Sequence, residues 1–181
     1  MSTGILILRV ILGSVMAAHG AQKLFGWFGG HGLKGTGAFF ESMGFRPGVA
    51  NAALAGLSET VGGLLIAAGL ATPLGAAAVI GVMAAAAVFV HGRQGLFAQN
   101  GGFELPLIYA AAAVAFTGPG VYSLDHALGW SLHSTGWALA AIAVGVVSVA
   151  GVGALRWART WTGQRHPGRP GLGRPATPNI A

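Results

Sequence analysis

The sequence contains no cysteine. Disulfides, thiolate iron–sulfur ligation, cysteine-based zinc sites and a thiol nucleophile are therefore excluded. Persulfide chemistry, if any, would sit on another protein. Charge is also scarce: 8% of residues are charged, 4 acidic against 10 basic. A soluble domain carries about 25%, so these charges are too few to cover a water-facing surface. Disorder over most of the length is excluded for the opposite reason: 54% of residues are hydrophobic, and disorder needs low hydrophobicity. No run shows the sustained apolar–polar alternation of a membrane barrel. At 181 residues the chain has room for one domain. These absences leave an all-α, polytopic membrane helix bundle.

Five apolar runs are present: Gly4 to about Leu24, Ala50 to Ala71, Leu74 to His91, about Phe103 to Gly118, and about Gly136 to Trp157. A membrane helix needs about 20 such residues. Their many Ala and Gly residues predict close helix packing, because little hydrophobic force drives helix against helix in lipid. Pro73 predicts a tight hairpin between the second and third runs, and the fourth run is short. Arg9 lies inside the first run rather than before it, so that run reads as a retained span, not a cleavable signal. Five spans put Lys23, Lys34, Arg46, Arg93, Arg156, Arg159, Arg165, Arg169 and Arg174 on one side. Basic residues stay cytoplasmic, which predicts an outside N-terminus and a cytoplasmic C-terminus. Abundant Ala and Gly, with more Arg than Lys, point to a GC-rich bacterial source and its plasma membrane.

Polar residues at membrane depth need a partner or a use, because a centred charge costs about 2.5–3.5 kcal/mol on insertion scales. Arg9, Gly13, Met16, Gly20 and Lys23 are spaced 4, 3, 4 and 3. That spacing makes one stripe along a helix, facing protein rather than lipid. Glu59 sits mid-run among Gly56, Gly62 and Gly63, with Arg9 as its expected counter-ion. The pair is either a structural link or part of a site where Glu59 carries protons. His19, Lys23, His91 and Glu104 come from three runs and are expected at the cytoplasmic end. Their convergence marks a candidate site, against the alternative of polar helix ends meeting water.

Other patterns are weaker. Gly30-x-Gly32-x-x-Gly35 has dinucleotide-binding spacing but no strand before it. The stretch 37–45 is expected in the interface with Phe39, Phe40 and Phe45 against lipid. His19 and His91 have the placement of a bis-histidine haem, yet histidines near a membrane face are more often hydrogen-bonding residues, so haem is disfavoured and no metal site is assigned. The scattered C-terminal arginines lack a folded nucleic-acid reader. Anionic lipid is their simpler partner, and no nucleic-acid partner is expected.

Arg9, the segment His19-Gly20-Ala21-Gln22-Lys23-Leu24-Phe25-Gly26-Trp27, Glu59 with Gly62-Gly63, His91, Glu104 and Gly118-Pro119-Gly120-Val121-Tyr122-Ser123-Leu124-Asp125 follow in an order and spacing that resembles the DoxX family. The resemblance covers residues 4 to 128. It implies a four-helix membrane core over 1–128. The run within 129–160 is then an added transmembrane helix, and 161–181 a disordered Arg/Pro/Gly-rich cytoplasmic tail. The resemblance also implies a redox connection. The related DoxD protein is a membrane subunit of a thiosulfate:quinone oxidoreductase. Other members associate with a superoxide dismutase and a sulfurtransferase in defence against oxidative and thiol stress.

The expected function is the membrane subunit of a quinone-linked oxidoreductase complex in sulfur/thiol or oxidative-stress metabolism. Glu59 and Glu104 are its candidate proton carriers, His19, Lys23 and His91 its candidate quinone contacts, and Arg9 the counter-ion. No electron carrier is visible, so this chain is at most a non-catalytic or quinone-binding subunit. The alternatives are a scaffold docking soluble redox enzymes and a small proton-coupled transporter, although no inverted repeat is apparent. A homo-oligomer stays open.

Overall fold

A computed structural model describes residues 2–164, with side chains described for 3–158. Among the described residues there are seven α-helices and no strand. They are α1 (Ser2–Phe25), α2 (Gly32–Ser42), α3 (Gly48–Ala68), α4 (Thr72–Ala85), α5 (Glu104–Ala115), the single turn α6 (Leu124–Ala127) and α7 (Thr135–Gln164). A π-helical turn, Ala86–Val90, extends α4. Four helical stretches are long and apolar enough to cross a bilayer: Thr3–Phe25, Gly48–Ala68, Thr72–Val90 and Thr135–Ala158. The protein is an all-α, polytopic helix bundle.

The fourth expected span is shorter than its apolar run. α5 has 12 residues, about 18 Å at the usual rise, against a hydrocarbon core of about 30 Å. The chain still reaches from one end of the bundle to the other, completing the passage with residues 116–123. α7 runs past the boundary expected at Trp161 to Gln164. The remainder of the expected tail, 165–181, lies outside the described residues.

Glycine fixes the first contact. α1 and α3 are antiparallel and meet backbone to backbone. A Cβ on Gly20 would strike Thr60 Oγ1 and the Gly56 carbonyl, and one on Gly13 would strike the Gly63 carbonyl. Arg9, Gly13, Met16 and Gly20 of the predicted stripe are all buried. Gly20→Val is expected to destabilise the bundle by about 3 kcal/mol, the upper range for overpacking. Gly151→Val, with nothing near the added Cβ, should change little. Unfolding in mixed detergent micelles compares the two.

α4 packs on α3, α5 and α7. Leu12, Met16, Ile66, Val79, Met83, Ala113 and Phe116 form the core between them. α7 meets α4 at Gly81, Gly145 and Ser148 and otherwise shows its apolar faces outward, with Leu139, Val147 and Trp157 exposed. An exposed apolar surface of this extent belongs in lipid.

One end of the bundle holds the α3–α4 turn, residues 116–134 and the start of α1. The other holds α2, the loop 91–103 and the later turns of α7. At this second end Arg156 lies over the rings of Phe45 (5.1 Å) and Phe89 (5.6 Å), tying α7 to the α2–α3 loop and to the π turn. Phe45 was expected against lipid, but it is buried and packs edge-on to Phe89.

Candidate functional site

The two polar clusters of the bundle sit at opposite ends and do different work. Arg9 is 1% exposed. Its guanidinium donates to the carbonyls of Ala67 (3.2 Å), Pro119 (2.6 Å) and Tyr122 (2.6 Å). The non-helical backbone after α5 thus finds its hydrogen bonds on a side chain of α1, which is how irregular backbone persists where water is scarce. Asp125, wholly buried, caps α4. Its carboxylate accepts from the amides of Ala71 (2.7 Å) and Thr72 (3.1 Å) and from the Thr72 hydroxyl (2.9 Å). A carboxylate at a helix N-terminus also meets the positive end of the helix dipole. Gly118–Asp125 is therefore a structural knot in this protein.

This placement corrects the expected Arg9–Glu59 pair. The partner of Glu59 is Lys23, whose Nζ donates to Oε1 at 2.8 Å and Oε2 at 2.7 Å. The reason is directional. Side chains lean toward the N-terminus of their own helix. In the antiparallel α1–α3 pair, Lys23 and Glu59 lean toward each other, whereas Arg9 leans away toward the far end. The Glu59 side chain is 2% exposed and that of Lys23 25%.

The pair lies in the wall of a cavity of about 850 Å³. His19, Gln22 and Tyr109 line it beside the pair, His91 lines it from the end of the π turn, and most of the remaining wall is apolar. Hydrogen bonds fix the histidines. Gln22 Nε2 donates to the Phe28 carbonyl (3.1 Å), so its Oε1 accepts from His19 Nδ1 (3.2 Å). His91 Nδ1 donates to the Gly101 carbonyl (2.6 Å). In the neutral tautomer each ring therefore keeps Nε2 as an acceptor.

His19, Lys23, Glu59 and His91 thus line one cavity, with His19 beside the ion pair. Glu104 does not join them. Its Oε2 accepts from the Ala98 amide at 2.9 Å and closes the 96–104 loop, while its neighbours Leu105 and Pro106 reach the cavity wall. Glu104 was expected to carry protons at the site, and this engagement removes it from the cluster. Tyr109 escaped the sequence reading. Its ring centroid lies 6.1 Å from that of His19, but an apolar run containing one tyrosine gives no reason to single it out. Asp125 was visible as a membrane-depth acid, but nothing local tied it to residues 71 and 72.

The chain is an all-α, multi-pass membrane bundle with an ion pair in the wall of a mainly apolar cavity. The DoxX family model matches residues 4–92, and the chain carries a DoxX domain over that stretch. The match spans α1 to the π turn and includes Arg9, His19, Lys23, Glu59 and His91. Glu104, the Gly118–Asp125 knot and α7 lie beyond it. No curated protein and no solved structure is matched.

Proposed function

We propose that this protein is the quinone-binding membrane subunit of an oxidoreductase complex, acting in sulfur/thiol or oxidative-stress metabolism. The observation that carries the reading is the Lys23–Glu59 pair in the wall of an apolar cavity of about 850 Å³. Drug-sized ligands occupy cavities of about 300–1,000 Å³. A quinone ring needs an apolar slot, donors for its two carbonyl oxygens and acceptors for the hydroxyls of its reduced form. The polar groups here meet part of those needs, with a donor for one quinone carbonyl and acceptors for the hydroxyls of the reduced form. Lys23 supplies a donor and a positive charge, and the Nε2 atoms of His19 and His91 supply acceptors.

A bound quinone would supply two-electron, two-proton chemistry. Its electrons would come from a partner that oxidises a thiol or reduced sulfur compound, and the sulfurtransferase and superoxide dismutase that the family resemblance implies would be associated proteins rather than that electron source. The chain's own residues position the ring and handle protons, with Lys23 stabilising negative charge on oxygen and the Nε2 atoms of His19 and His91 taking up protons from water and exchanging them with the quinone oxygens. Lys34, Arg46, Arg93 and Arg156 all belong to the end at which the cavity lies. By the positive-inside rule that end is proposed to face the cytoplasm, where such partners would dock.

The quinone content of protein purified in mild detergent and in native lipid tests the proposal. Near-stoichiometric quinone is expected in the wild type, falling at least tenfold in Glu59→Gln and Lys23→Ala. Absence of quinone from both preparations, with all three proteins folded, would shift the assignment to a scaffold.

A further inference from the structure

We infer that the cavity is entered sideways from the bilayer, through the slot between α3 and α7, by an amphiphile whose hydrocarbon tail stays in that slot. The inference rests on the reading of Lys23–Glu59 as a head-group site. It adds the path and the class of molecule that the path admits.

Three observations carry it. The first is a gap in the packing. α1 packs on α3, α3 on α4 and α2, and α4 on α5 and α7, but α3 and α7 have no extensive packing on each other. They nonetheless face the same cavity, α3 with Asn51, Leu54 and Ala55, α7 with Val149 and Val152. The space between them is part of the cavity itself.

The second observation is continuity. A smaller cavity of about 200 Å³ shares Phe45, Asn51, Leu54 and Val152 with the large one. It continues between the two helices past Ala50 and Leu155 to Arg46 and Arg156. The third is exposure. Leu54 lines both cavities yet is 58% exposed, which places it at a mouth on the bundle's side. That mouth is bordered by Leu54, Val152 and Leu155, an apolar rim suited to a hydrocarbon chain. The wall of the cleft also reaches Leu74 of α4, which is 64% exposed, so the opening runs along the side of the bundle.

A polar solute gains nothing from an apolar rim opening on lipid. A tailed amphiphile does, because its chain can remain in the bilayer while its head reaches Lys23 and Glu59. The large cavity also exceeds what one substituted ring fills, which leaves room for the first part of the tail.

The test uses full-length protein in lipid nanodiscs. Binding of a substituted benzoquinone head group is compared with that of the same head bearing a ten-carbon tail. The tailed compound is expected to bind at least tenfold more tightly. Leu54→Trp combined with Val152→Trp should remove that advantage. Both positions face the slot, and Leu54→Trp alone serves if the double variant melts early.

A second readout does not need a quinone. A diazirine-tagged alkane dissolved in the bilayer should label Met83, which is 6% exposed but lines the large cavity. Labelling should fall severalfold in the tryptophan variants. If neither head group binds while Met83 is still labelled and then protected, the head-group reading fails and the lateral slot stands. If Met83 stays unlabelled, or the tryptophans leave labelling and the tail advantage unchanged, the slot is overturned.

Discussion

Arg9→Met is expected to lower stability by about 3–5 kcal/mol, the range seen when one member of a buried charged network is removed. The loss comes from what is left behind. The Ala67, Pro119 and Tyr122 carbonyls lose their donor at once, and each unsatisfied buried group costs about 1–3 kcal/mol. Arg9→Lys should recover only part, since one ammonium cannot spread across acceptors on two segments as a planar guanidinium does. Unfolding in mixed micelles measures both. Because Arg9 sits at the far end from Lys23 and Glu59, any folded Arg9→Met protein should retain wild-type ligand affinity. A selective loss of ligand from well-folded protein would show that the two ends are coupled.

The second large effect is at the pair itself. Lys23→Met leaves the Glu59 carboxylate, 2% exposed, without its donor. The expected cost is about 3 kcal/mol, the low end for a broken buried pair, because Lys23 keeps a quarter of its side chain exposed. Adding Glu59→Met should restore most of that stability, since apolar replacement of a buried pair is often neutral or better. The resulting double-mutant cycle also separates the pair's two possible roles. If it serves only to fix helix register, the restored double variant binds ligand as the wild type does. If it forms the head-group site, the double variant is stable and binds at least tenfold more weakly. Ligand affinity in a protein of matched stability is the deciding number.

The inward stripe of α1 was legible in the sequence because only a 3.6-residue period lines up Arg9, Gly13, Met16 and Gly20. The long spans were legible from length and apolarity. The partner of Glu59 was misread for a traceable reason, namely that depth was judged from sequence position without a register between helices. The signal for register was present. Gly13 and Gly20 share a seven-residue spacing with Gly56 and Gly63. Aligning those pairs antiparallel sets Arg9 against Ala67 and brings Lys23 toward Glu59. Asp125 and Glu104 are different. Each accepts from backbone amides of a turn or loop, and backbone donors leave no mark in a residue string. The cavity was equally hidden, because it exists where α3 and α7 are not packed closely together.

α7 shares in the cavity without belonging to the stretch that matches the DoxX model. Lys23 and Glu59 come from α1 and α3, within residues 4–92, whereas Val144, Ser148, Val149 and Val152 of α7 supply one wall. The ion pair and this part of the cavity wall are thus carried on separable pieces of chain. α7 is seated mainly along one seam on α4, so its cavity-facing residues can vary with little disturbance to the ion pair. On the proposed reading, a helix held this way is an exchangeable selectivity panel. Lengthening or trimming side chains at 149 and 152 would retune the accepted tail while the head-group chemistry stays as it is.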